Sequence, residues 1–278
     1  MAPDLDPALD ATVGRYLGLA DRLLPGRVTG FYLIGSAALG AWRPGRSDVD
    51  GVAVVDRPLG GAGLRRLRAV HAAAGAGSTA RALRRGHVTI PGTCNVAYVA
   101  ADDLARPVTE IVPQASHVGM RFAAGWAFDV NPVQWKVLAE SGIAVRGPAP
   151  ASLGLRPEPD RLRDWNLANL DAYWRPWGEA AVRRPASPRW RPPRWAATWG
   201  TLGVCRLHCT VATGEVVSKE GAGEYARRAF GPEWHPIVDE ALAYWRAEEA
   251  PAAFADRRAR TRRAGEFVLE VVRDAHAL

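Results

Sequence analysis

Two carboxylates two residues apart, Asp48 and Asp50, follow a Gly35-Ser36 pair after a gap of eleven residues. Side chains two apart on a strand point to the same side. Carboxylates forced together there repel unless a cation neutralises them. A hard divalent cation, Mg²⁺ above all, takes oxygen ligands and bridges to substrate phosphates. Asp48 and Asp50 are therefore the expected metal ligands and catalytic carboxylates. Gly35 lets backbone approach closely, and Ser36 offers an N–H and a hydroxyl at the start of a short helical segment, a place suited to phosphate. Ser47 adds a hydroxyl beside the metal, and Arg43 and Arg46 stand ready to steer a triphosphate. A polar turn capped by Ser and Asp would use the same residues. The phosphate site is favoured because an apolar strand leads into Gly-Ser and Asp-x-Asp opens a second one. No GxxxxGK[ST] motif occurs, and Gly60-Gly61-Ala62-Gly63 does not form GxGxxG.

Those residues need elements to hold them. Residues 28–34 read as a buried strand entering Gly35, 36–40 as a short helical segment, and 49–55 as a second strand. A helix is expected at 10–24, stopped by Pro25-Gly26, and another at 64–74. Strands are expected at 87–90 and 95–100, separated by Pro91-Gly92, then a helix at 133–140 and a strand at 143–145. This is an α/β domain with a small mixed sheet. The Pro/Gly-rich stretch 147–159 marks a boundary, giving expected domains 1–150 and 151–278. Beyond it, helical spacing at 162–177, 195–213, 219–230, 236–246 and 253–275 predicts an all-α bundle. Residues 183–194 form a basic, Pro-rich loop, read as a solvated connector or a phosphate contact.

The chain has 278 residues, 48% of them apolar and 23% charged, which suits two soluble domains. No apolar run reaches the roughly 18 residues of a membrane span. The first residues are acidic and lack a basic-then-apolar leader pattern, so a cytoplasmic protein without a membrane partner is expected. The net charge of +7 suits a nucleoside triphosphate or another acidic partner, but follows equally from heavy use of Arg. No RNA-binding motif accompanies the interleaved Arg and Trp of the basic loop, so nucleic acid is not the expected partner. Three cysteines form no disulfide framework. Cys205 and Cys209 flank His208 at helical spacing, which reads as burial on a helix face. His87, His117, His208 and His235 show no ligand spacing, and residues 117–119 read as a loop. Most of the eleven tryptophans are expected in the core or at the domain interface. The oligomeric state is not legible.

Three stretches carry a family resemblance: GSAALGAWRPGRSDVDGVAVV, GIAVRGP (residues 142–148) and LGVCRLHCTVATGEVVSKEGAGEYA (residues 202–226). The chain resembles the DNA polymerase β-like nucleotidyltransferases, and among them the aminoglycoside (3'')(9)-adenylyltransferases. The resemblance implies a nucleotidyltransferase domain and a helical domain closing an active-site cleft. It implies Mg²⁺ and ATP or another nucleoside triphosphate, AMP passing to an antibiotic hydroxyl or other small-molecule acceptor, and pyrophosphate release. By position it makes Asp48 and Asp50 the metal ligands and Ser36 and Ser47 the phosphate contacts. Arg206 and Lys219 become the nucleotide contacts on one wall of the cleft, joined by Tyr244 or, one register later, Trp245. Two departures follow. Asn95 occupies the family's glutamate base position, and an amide cannot accept a proton near neutral pH. The family's antibiotic-recognising aspartate falls near Ala196, without a carboxylate. Three readings stay open: another proton acceptor, with Asp102, Asp103 and Asp129 nearest in sequence; a different acceptor, including protein or RNA; or a protein that binds Mg–nucleotide without turnover.

Overall fold

Apolar runs with almost no polar break in residues 28–33, 49–55 and 94–100 suit strands covered on both faces, and they form the middle of a mixed sheet. The computed structural model describes residues 5–84, 94–119, 121–183, 193–249 and 253–278, without the side chains of 81–84. The chain divides into two units, Met1–Glu158 and Pro159–Leu278. The strand expected at 87–90 and nearly all of the basic loop, Trp190 included, lie outside the described residues.

In the first unit, β1 (Val28–Leu33) pairs antiparallel with β2 (Val49–Val55), and β2 pairs in parallel with β3 (Cys94–Ala100). A parallel pair needs a long crossover, and it contains α3 (Gly61–Arg84), ten residues longer at its C-terminal end than the 64–74 expected. Two short strands, β4 (Ala115–Val118) and β5 (Arg121–Ala124), extend the sheet beyond β3, and β6 (Ile143–Arg146) closes the other edge, giving the order β5-β4-β3-β2-β1-β6. The loop expected at 117–119 is thus corrected: His117 lies on β4, opposite Val96. With four residues each and little β-branched content, neither β4 nor β5 left a period-2 signal.

Asp6 caps α1 (Pro7–Leu23) by accepting from the amides of Ala8 and Leu9, and Pro7 suits its first position. The buried stripe Leu9, Val13, Tyr16, Leu17 and Ala20 shares one core with Phe31, Leu33, Val49, Ala53, Val96, Tyr98 and α3 residues Leu67 and Val70. The alternate residues Asp50, Val52, Asn95 and Ala97 therefore face the opposite side of the sheet. A single turn, α2 (Gly35–Ala38), packs against α4 (Pro132–Ser141).

In the second unit the helix expected at 162–177 is interrupted. It runs as α5 (Leu162–Asn169), a π-helical turn (Leu170–Trp174) and α6 (Arg175–Arg183). The buried α7 (Arg194–Thr213) packs against α5, α8 (Lys219–Ala229), α9 (His235–Arg246) and α10 (Arg257–Ala275). Gly200 and Gly203 leave room on α7 for the rings of Trp177 and Trp174, where a Cβ would collide. Trp174 is buried, as tryptophans in a core should be, while Trp195 is exposed. Cys205 and Cys209 are buried and free, and burial raises both thiols above their ordinary value. No helix of the described residues is long and apolar enough to cross a membrane.

Candidate active site

The turn from β1 into α2 is shaped by one glycine. Gly35 has φ +58°, a left-handed conformation that costs an ordinary residue about 1–2 kcal/mol. A Cβ there would also sit 2.5 Å from Asp50 Oδ2. The Asp50 carboxylate therefore lies directly against the Gly-Ser turn. The Ile34 amide donates to Asp50 O at 3.0 Å and fixes the two backbones together.

The parallel register places Asn95 beside Asp50 on the same face. Asn95 Nδ2 donates to Asp50 Oδ1 at 3.0 Å, and Asn95 Oδ1 accepts from the Gly119 amide at 2.9 Å. The amide thus bridges β2 to the β4–β5 turn. Its geometry suits orienting Asp50, and its chemistry excludes taking a proton.

The loop between α2 and β2 holds its own shape. Ser47 is buried; its Oγ accepts from the Arg43 amide at 3.0 Å, and its own amide donates to Arg43 O at 2.9 Å. Trp42 Nε1 donates to Asp48 O at 3.1 Å. Ser47 therefore spends an oxygen lone pair on the turn and retains its hydroxyl proton for donation. Ser36, Arg46 and Asp50 are half-buried, and Asp48, one residue before β2, is exposed.

A second polar cluster lies on the other face of the sheet. His71 Nε2 stands 3.2 Å from the Tyr16 hydroxyl and 2.9 Å from that of Tyr98, and its ring stacks on His117 at 4.1 Å. His117 Nδ1 donates to Cys94 O at 3.2 Å. Burial, with His117 adding to it, pushes His71 down to about 2, so its ring stays neutral. A cavity of about 310 Å³ borders His71, His117 and Cys94. Strand parity keeps this cluster away from Asp50, so neither histidine serves the carboxylate site. Sequence reading passed over His71; the signal was a lone histidine on the apolar face of an Ala-rich helix.

Of the three aspartates near Asn95 in sequence, two are removed by distance. Asp102 and Asp103 follow the far end of β3, with Asp103 paired to Arg106 at 3.4 Å. At roughly 3.3 Å per residue, the strand carries them about 20 Å from Asn95. Asp129 is half-buried in the turn before α4. Burial, helped by the charge of Asp50, raises its carboxyl to about 7.

In the second unit, the three residues expected at the nucleotide lie on different helices. Arg206 on α7 donates through Nε to Val217 O at 3.0 Å. Lys219 opens α8, behind the Ser218 cap, with Nζ 4.3 Å from the buried Trp245 ring. Arg194 lies over the half-buried Tyr244 ring at 5.3 Å. His208 bridges the Tyr225 hydroxyl and Asp274, each at 2.8 Å, and ties α7 to α8 and α10.

Among the described residues, no three His, Cys, Asp or Glu side chains gather as a metal site. Asp48 and Asp50 supply carboxylate oxygens and no nitrogen or sulfur. That donor set fits a hard cation whose remaining oxygens come from phosphate and water.

Residues 189–270 match the family model of the aminoglycoside adenylyltransferase C-terminal domain. The fold is similar to that of spectinomycin adenyltransferase AAD(9) from Enterococcus faecialis, whose crystal structure was determined with ATP and spectinomycin. The TM-score is 0.65 at 12% identity, over 95% of this chain and 98% of that one. No curated protein gives a significant match. The chain is thus aminoglycoside adenylyltransferase-like in its C-terminal sequence and in its fold, as its motifs led us to expect.

Proposed function

We propose that this protein is a Mg²⁺-dependent nucleotidyltransferase that moves the nucleoside monophosphate of ATP, or of another nucleoside triphosphate, to a hydroxyl of an aminoglycoside-like or other small molecule. The observation that carries this reading is the Asp50 carboxylate set against the left-handed Gly35 of the Gly-Ser turn. A turn kept free of side-chain bulk beside a carboxylate suits a metal-bound triphosphate. Asp48 and Asp50 would hold the metal, which when bound neutralises charge on the phosphate oxygens.

The chain's own residues do the positioning. Gly35 and Ser36 present backbone and hydroxyl to the phosphates. Ser47 donates its remaining proton, and Arg46 adds positive charge. Arg206, Lys219 and Tyr244 serve as further nucleotide contacts. Asn95 holds Asp50 in one orientation through its bond at 3.0 Å. Fixed geometry of this kind supplies much of the acceleration in phosphoryl and nucleotidyl transfer.

The test uses the full chain with Mg²⁺ and each nucleoside triphosphate, together with spectinomycin, streptomycin and other hydroxyl acceptors. Mass spectrometry should show an acceptor carrying one nucleoside monophosphate, and Asp50→Asn should abolish it. Nucleotide binding without adduct or pyrophosphate release would instead identify a nucleotide-binding protein without turnover.

A further inference from the structure

We propose that the cavity between α1, α3 and the sheet binds a compact organic carboxylate: an apolar body with one anionic group and a second oxygen acceptor. The cavity holds about 310 Å³, at the small end of the range for small-molecule pockets. Strand parity sets it on the face of the sheet opposite Asp50. The site therefore stands independently of the transferase reading.

Its wall holds a buried polar atom without a partner. His71 borders the cavity and is 2% exposed, and its Nδ1 makes no hydrogen bond. The buried hydroxyls of Tyr16 and Tyr98 converge on Nε2, at 3.2 and 2.9 Å. Among the described residues neither hydroxyl has another partner. A hydroxyl proton therefore needs the Nε2 lone pair, and the tautomer that offers it carries its own proton on Nδ1. A buried donor left without an acceptor costs stability. An oxygen atom of a bound molecule would supply what the protein does not.

The rim carries charge of one sign. Arg15 and Arg22 both border the cavity and are exposed. They stand two turns apart on one face of α1, and Arg15 meets the Thr12 hydroxyl at 3.1 Å. Among the described residues no carboxylate borders the cavity. Guanidinium groups match a carboxylate with paired N–H bonds.

Between rim and histidine the wall is apolar and small, with Leu19 and Ala74 beside Gly18 and Gly75. A Cβ at Gly18 or Gly75 would meet nothing within 4 Å. The space thus comes from side chains that the two helices omit, and an apolar body suits it.

Calorimetric titration of the full chain with 4-hydroxybenzoate, benzoate and 4-hydroxybenzamide tests the proposal. The hydroxybenzoate should bind at one site, benzoate about threefold or more weaker, and the amide about tenfold or more weaker. Joint Arg15→Ala and Arg22→Ala substitution should lower the affinity about tenfold. Gly75→Leu puts a better helix former into α3 and fills the cavity, so it should keep the fold and abolish binding. The ¹⁵N resonance of His71 Nδ1, assigned by its loss in His71→Gln, should move when 4-hydroxybenzoate binds. The proposal is overturned by no saturable binding of 4-hydroxybenzoate, by an amide that binds as tightly as the acid, or by full binding to a folded Gly75→Leu protein. Binding that leaves the Nδ1 resonance in place overturns it too.

Discussion

The two units fix their functional candidates by different means. In the first, backbone register does the work: the β2–β3 pairing sets Asp50 beside Asn95, and the left-handed Gly35 admits the carboxylate. In the second, side chains are tied helix to helix. Lys219 covers Trp245, Arg194 covers Tyr244, and Arg246 bonds Glu220 and Glu224, each at 2.6 Å. Register is all-or-none, because a slip of one residue turns every side chain to the other face. Side-chain ties are separate and individually weak. Substitutions in the first unit should therefore act on the site and stability together, and those in the second should separate them.

The sharpest form of this contrast is a pair of glycines. Gly35→Ala should cost about 3 kcal/mol through its positive φ and the displacement of Asp50, and should abolish binding of Mg–ATP. Gly203→Ala drives a methyl group into the Trp174 ring and should cost about 1–3 kcal/mol with nucleotide affinity kept. Urea unfolding and calorimetric titration give both numbers. Equal loss of affinity in the two variants would break the contrast.

Acid should next weaken the first unit. His71 is neutral when folded, with its value held near 2, and takes a proton when unfolded at ordinary values near 6.5. Below pH 6.5 the unfolded chain binds more protons, so stability falls as pH falls, by about 1.4 kcal/mol per unit from this group. From pH 6.5, where the unfolded histidine is half protonated, to pH 4.5 the loss amounts to about 2.3 kcal/mol, and His71→Gln should flatten the slope. An unchanged pH dependence in this variant would remove His71 as the cause.

A smaller effect is expected at the bridge itself. Asn95→Asp sets a second carboxylate against Asp50 and should destabilise the metal-free protein by about 1–3 kcal/mol. Added Mg²⁺ should raise the thermal midpoint of this variant more than that of wild type. Equal shifts would argue that the Asp50 side binds no metal. The smallest change belongs to the second unit, where Arg246→Ala removes two partly exposed ion pairs. It should cost about 1 kcal/mol or less and leave nucleotide affinity intact.

Legibility followed the same division. The turn at Gly35 and the strand that carries Asp50 were readable because a glycine turn and an apolar strand follow local rules. Asn95 was readable as a strand residue, but its bond to Gly119 was not, since β4 and β5 are too short to carry a periodic signal. Asp129 was only one of three nearby acids until tertiary packing separated them. His71 was invisible because its partners, Tyr16, Tyr98 and His117, come from three other elements. In the helical unit, apolar spacing located the helices but not the break at Leu170–Trp174, although Pro176, two residues beyond it, lacks the amide a regular helix would need there.

That wide turn has a consequence for chain length. At 3.6 residues per turn, each added or deleted residue rotates everything beyond it by about 100°. Trp174 at the end of the π turn and Trp177 beyond it meet Gly203 and Gly200, and Gly178 meets Leu269 of α10. Deleting one residue from 170–174 would remove the wide turn and carry Trp177 and Gly178 off their partners. The turn acts as a phase adjuster between the two helices, and what it protects is a count of residues more than any one side chain.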